Sequence, residues 1–230
     1  MRESYQYLEF EHIYSATLGN GLRSLAISAC NPGEGCTTLA SALAKRHAAI
    51  GRKVLLVDFN LYRPGLANRF SLPNNEWQPG QNALPLMHKL NDCMTILTAT
   101  TKPALLLRNV DTLREHIAQW NLHFDAIIFD TSPLNAINYS NLPAEHVCAA
   151  AEACIMVILA TRTREEDLHS AREKLVKMQA NLLGAVMNDL YNPSLQEEIL
   201  REINRLNKRM PRLTRFLTTK VQNQRFLRMG

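Results

Sequence analysis

The sequence predicts an α/β fold: a doubly wound, mostly parallel sheet with helices on both faces, followed by a basic helical C-terminal extension. Three observations carry that expectation. Apolar runs of strand length alternate with helix-like segments between residues 24 and 188. The strand-like runs are continuous rather than alternating, as in strands buried on both faces. A glycine-rich turn joins the first such run to an alanine-rich helix. Repeated β-then-α order implies parallel strands with helical crossovers. The chain has 230 residues, 46% of them hydrophobic, enough for one large domain with a sizeable core.

Taken in order, Ser24–Ala29 is a short apolar run that ends in an Asn31-Pro-Gly turn. Residues 38–50 are rich in Ala and Leu and favour helix, with Gly51 placed as the stop. Lys53-Val-Leu-Leu-Val-Asp58 reads as a buried strand. Residues 71–90 are rich in Pro, Asn and Gln and read as a loop and a short helix. Met94–Thr98 is a strand, and Leu105–Trp120 has helical spacing. Asp125–Asp130 and Ala153–Ala160 are further strands. Glu165–Ala180 is a helix with Glu/Lys pairs on its face, and Leu183–Asn188 is a last strand. The domain plan is a helical lead over 1–22, a nucleotide-loop domain over 23–191 and a tail over 192–230.

Chemistry concentrates at four places. Asn31-Pro-Gly-Glu-Gly-Cys-Thr-Thr38 nearly spells the phosphate-binding loop G-x-x-x-x-G-K-[ST], with Cys36 where the lysine belongs. A helix opening at Thr37 or Thr38 presents free backbone N–H groups, which bind anions without a side-chain charge. Gly33, Glu34, Gly35, Cys36, Thr37 and Thr38 are therefore the expected nucleotide-binding residues. The alternative is a glycine turn without a ligand. Asp58 ends a strand beside that loop, where a metal-linked or water-orienting carboxylate would stand, or where it would simply cap a turn. Asp130 ends the run Asp125-Ala-Ile-Ile-Phe-Asp130, and such an acid holds Mg²⁺ through water. Thr37 and Asp130 are the metal candidates, and Asp58 and Asp130 the catalytic ones. Asn188, at the end of the last strand, either reads a purine edge or is a plain turn residue.

The order of these segments resembles the ParA/MinD-type P-loop ATPases. It runs Pro-Gly-Glu-Gly-x-Thr-Thr, Val-Leu-Leu-Val-Asp-x-x-x-x-Arg-Pro, Phe-Asp-x-Ile-Ile-x-Asp-Thr-x-Pro and Val-Met-Asn. Within that group it is most similar to the cytoplasmic tyrosine-kinase-like domains of bacterial exopolysaccharide co-polymerases. Arg63-Pro-Gly-Leu-Ala-Asn-Arg-Phe70, Ala104–Arg108 and the segment 10–22 resemble the family's Arg-Pro segment, Glu-Leu-Leu segment and leading helix. The resemblance implies ATP or ADP with Mg²⁺. It also exposes departures: Cys36 for the loop lysine, Asn60 for the second acid of an Asp-x-Asp pair, and no tyrosine after Tyr191. These departures imply weakened nucleotide binding and weak or no hydrolysis. The implied role is a regulatory or scaffolding subunit of a bacterial envelope or exopolysaccharide assembly system. The alternatives are an active atypical ATPase or tyrosine kinase of exopolysaccharide synthesis, or a membrane- or DNA-associated partitioning-type ATPase. Lys45, Arg52 and Lys53 are candidates to replace the missing charge, although helical spacing puts Lys45 about two turns from Thr38.

The net charge of +5 is uneven. Residues 192–230 hold nine Lys/Arg against three acids, so the tail carries +6 and the rest about −1. Arg212, Arg215, Phe216, Leu217, Lys220 and Phe226 form a basic apolar stripe. Such a stripe suits an anionic membrane surface, a helix packed on the domain or a partner subunit, or, ranked third, nucleic acid. Protein partners and a homodimer are the other expected associations. No apolar run reaches the roughly 18 residues of a membrane span. The polar first ten residues lack a signal-peptide core, so a cytoplasmic location is expected, peripheral on the inner membrane face if the tail binds there. Five widely spaced cysteines without a C-x-x-C pair argue for reduced thiols and against zinc.

Overall fold

The computed structural model describes residues 8–61, 63–74, 76–77, 83–101, 105–136, 142–189 and 203. Contacts divide the chain into Met1–Asn188 and Asp189–Gly230. The stripe of Arg212, Arg215, Phe216, Leu217, Lys220 and Phe226 lies outside the described residues. In the first unit α1 (Leu8–Ala16) and a single 3-10 turn lead into β1 (Ser24–Ala29), α2 (Cys36–Ala49) and β2 (Val54–Phe59). Next come α3 (Leu66–Phe70), β3 (His88–Lys89), β4 (Met94–Leu97) and α4 (Val110–Trp120). β5 (Ala126–Thr131), α5 (Ala144–Ala150), β6 (Ala153–Leu159), α6 (Glu165–Lys177) and β7 (Leu182–Asn188) complete it.

The seven strands form one sheet in the order β3-β4-β2-β5-β1-β6-β7. All pairs are parallel except the short β3 edge on β4. β1, β2 and β5 are buried along their whole length, which explains their unbroken apolar runs. Successive side chains still point to opposite faces. Leu25, Ile27 and Ala29 pack with Leu39, Leu43 and Tyr14 under α1 and α2. Ala26 and Cys30 face the other layer, with Leu113, Ile117, Val147 and Leu175 of α4, α5 and α6. Phe59 and Phe129 stack at 5.3 Å on that side. Burying each such aliphatic side chain is worth about 1.5–3 kcal/mol.

Three expectations need correction. The helix expected over 105–120 is split: Leu105–Arg108 is a 3-10 turn, and Asn109 then caps α4, its Oδ1 accepting from the N–H groups of Asp111 and Thr112. The short helix expected before residue 90 is a 3-10 turn at Leu84–Leu86 followed by β3. The helix expected from Thr38 begins at Cys36, because Gly35, in the left-handed region at φ 113°, turns the chain directly into it. All five cysteines are free thiols. Among the described residues no helix is long and apolar enough to cross a membrane.

Candidate functional site

β1 lies between β5 and β6: the connection out of β1 runs to β2 on one side of it, and the connection out of β5 runs to β6 on the other. Beyond the carboxyl ends of such strands a crevice opens. Here it is a cleft of about 550 Å³. One wall is the loop Asn31–Thr38, another is Asn60 and Arg63 after β2, and the floor is Asp130 and Thr131 at the end of β5. Pro133 and Ala136 close it.

The loop is shaped by two glycines in the left-handed region, Gly33 at φ 83° and Gly35 at φ 113°. A side chain there is strained. The first helical bond runs from Leu39 N–H to the Gly35 carbonyl at 3.0 Å. The amides of Cys36, Thr37 and Thr38 thus belong to the first turn, which has no intrahelical acceptors. They lie at the positive end of a 14-residue helix.

Three contacts from distant segments hold the loop. Asn188, at the end of β7, donates its side-chain amide to the Glu34 carbonyl at 2.9 Å. A Cβ on Gly35 would stand 2.6 Å from that same nitrogen. Glu34 is buried, and its Oε1 accepts from the Thr163 hydroxyl at 2.7 Å. Asn31 donates to Asp167 of α6 at 3.0 Å. Asn188 is thus tied to the loop backbone and is not among the residues that line the cleft. The partners Thr163 and Asp167 left no signal in the sequence, since they stand 129 and 136 residues from the atoms they hold.

Asp58 and Asp130 face different surroundings. Asp58 Oδ1 accepts from Asn60 N–H at 3.1 Å, and Oδ2 from Gly65 and Leu66 N–H at 2.9 and 3.0 Å. It caps the turn into α3, and burial outweighs these bonds to push its pKa up to about 6. Asp130 is fully buried, and neither carboxyl oxygen accepts a well-formed hydrogen bond. Burial and then the Asp58 charge push it up to about 8, only partly offset by the Thr37 hydroxyl and the Arg69 cation. Asp130 therefore holds a proton at neutral pH. An acid left unsatisfied beside a helix N-terminus fits a site that takes a cation between carboxylate and phosphate. Thr37 packs against Gly65, where a Cβ would come within 2.9 Å of its Oγ1.

Cys36 lines the cleft as the first residue of α2. Burial, then the Asp130 and Glu34 charges, hold its thiol well above the ordinary value, so it is neutral. Of the cations weighed to replace the lysine, Arg52 and Lys53 lie at the opposite end of β2, where Asp125 accepts from Lys53 N–H at 2.7 Å and stands 4.0 Å from Arg52. Arg63 is the only cationic residue among the described cleft-lining side chains. Sequence reasoning missed its placement, although five residues after a strand-ending acid is where a crevice loop should lie.

No protein-family model matches the chain. It is 30% identical over 186 residues to Tyrosine-protein kinase YwqD of Bacillus subtilis, covering 77% of this chain and 76% of that one. The kinase domain of Escherichia coli tyrosine kinase ETK superposes with a TM-score of 0.68 at 22% identity, over 84% of this chain and 77% of that one. The septum site-determining protein MinD of Pyrococcus horikoshii, complexed with Mg-ADP, superposes with a TM-score of 0.60 at 21% identity, over 74% and 72%.

Proposed function

The chain belongs to the bacterial tyrosine-protein kinases, and on that premise we propose that it is a nucleotide-binding member with little or no phosphoryl transfer. In this reading it serves as a regulatory or scaffolding subunit in exopolysaccharide or envelope assembly. One observation carries the proposal: a neutral Cys36 thiol stands at the head of α2, where the phosphate-loop motif has its lysine.

Binding and chemistry place different demands on the cleft. The amides of Cys36 to Thr38 and the left-handed glycines offer a cradle for phosphate oxygens. Thr37 and Asp130 are the residues that would hold magnesium, and a bound magnesium ion would neutralise phosphate charge there. Both parts fit an ADP- or ATP-sized anion. Transfer needs more. Charge that develops on a moving phosphoryl group is stabilised by preorganised cations and donors, and removing one such element costs about 10²–10³ in rate. The loop lacks its cation. Asn60 carries an amide, and it accepts from Arg63 N–H at 3.2 Å. Asp58 spends both oxygens on backbone amides. Burial favours the protonated form of Asp130.

Protein partners in the assembly complex then take the place of catalytic output. The basic tail would supply a second contact, as a helix packed on the domain or on a partner subunit, or on an anionic membrane surface. Titration with mant-ADP, with and without Mg²⁺, tests the binding half. Magnesium-dependent affinity supports the reading, and no binding at millimolar ADP overturns it.

A further inference from the structure

We infer that Arg63 stands in for the loop lysine and holds the phosphates of a bound nucleotide from the opposite wall of the cleft. This rests on the nucleotide-binding reading above and adds to it the source of the positive charge.

The loop wall of the cleft presents backbone amides, hydroxyls, the Cys36 thiol and the Glu34 carboxyl, and no cation. A diphosphate brings more negative charge than amides alone balance. Arg63 is the cation on the wall among the described residues. Arg69, on α3, stands 3.5 Å from Thr38 Oγ1 and its charge is felt at Asp130, but it does not itself line the cleft.

Arg63 is also held in position. Its own N–H donates to Asn60 Oδ1 at 3.2 Å. Two residues on, Asp58 accepts from Gly65 and Leu66 N–H. Pro64 between them fixes its own φ. Asp58 and Asn60, which stand where an acid pair would be, together pin the segment that carries the guanidinium. Gly65 packs against Thr37 so closely that a Cβ would meet it at 2.9 Å, which ties this wall to the loop. A planar guanidinium grips two phosphate oxygens at once, which a point charge does not. Approaching from across the cleft, it suits holding a ground-state nucleotide and leaves the loop side of the terminal phosphate without a cation.

The test is mant-nucleotide titration in magnesium buffer with the full chain. Arg63→Ala is expected to weaken mant-ADP binding about tenfold or more, the scale of one charge-assisted contact. Arg63→Lys should recover part of it. Lys89→Ala, an exposed charge loss on β3 beside Asp92, should leave affinity within about twofold, as expected for a screened surface charge. Cys36→Lys placed in the Arg63→Ala chain should restore binding. Unchanged affinity in both Arg63 variants, while the parent binds, overturns this inference and leaves the nucleotide reading standing. An equal loss for mant-ADP and a mant-nucleoside without phosphate also overturns it. A parent chain that binds no nucleotide removes both.

Discussion

Asp58 and Asp130 stand opposite each other in register on the adjacent parallel strands β2 and β5. One is satisfied by three backbone amides and the other by no well-formed hydrogen bond. Two carboxyls so placed cannot both ionise cheaply in a buried site. Burial and the Asp58 charge together favour the proton on Asp130, the unsatisfied one.

That division gives a pH dependence. Both folded pKa values, about 6 for Asp58 and about 8 for Asp130, lie above the ordinary 3.8. The folded chain therefore binds protons more tightly than the unfolded one. The associated stability is full below about pH 4 and is lost as pH rises through 6 and then 8. Asp130→Asn removes the upper step. Its Tm should exceed that of the parent by about 2–8 °C at pH 8, the shift expected for one or two kcal/mol in a chain of this size. Its Tm should also vary less between pH 6 and 9. Thermal melts across that range check this, and a parent curve that is flat over the range would contradict it.

Asp58→Ala leaves three amides at the turn into α3 without their acceptor. Chemical denaturation should show a loss of about 2–4 kcal/mol, the scale for unsatisfied buried donors. Asp58→Asn keeps an acceptor and should lose clearly less. Equal losses would mean that the charge, and not the cap, is what matters at this position.

Gly35→Ala should damage the loop twice, through the left-handed φ of 113° and through the 2.6 Å approach to Asn188. Adding Asn188→Gly relieves only the second. The double variant should recover part of the stability and little of any nucleotide affinity, because the Glu34 carbonyl loses its donor. Full recovery of both would show that Asn188 does not position the loop.

α1 is fastened to α2 by one cluster. Arg46 donates to Glu11 with two nitrogens and lies 4.7 Å over the Tyr14 ring, whose hydroxyl bonds His47 Nδ1 at 3.0 Å. Arg46→Ala should raise amide exchange across residues 8–16 while leaving the sheet protected. Unchanged protection there would show that apolar packing alone docks the helix.

What is legible in the sequence follows a physical line. β1, β2 and β5 are legible because strands buried on both faces leave continuous apolar runs. α3 and α5 are not, since five and seven residues are too few for a helical period to show. Asn109 conceals the break before α4 because an N-cap is itself compatible with a helical run. At the site, the glycine loop and Asp130 are readable from local order. The environments of Asp58, Glu34 and Asn188 are not, because each is set by partners that only the fold brings near. Arg63 reads in the sequence as part of an Arg-Pro segment, and its place on the cleft wall emerges only with the loop's path.

In the proposed function the cleft binds nucleotide without turning it over, for want of the loop cation. ATP turnover by the parent chain, measured beside Cys36→Lys, puts this to the sharpest trial. No turnover above background is expected in the parent, with a clear rise in Cys36→Lys that Asp130→Ala abolishes. Parent turnover near one per second, the low end of ordinary enzymes, removed by Asp130→Ala and not raised by Cys36→Lys, would contradict it.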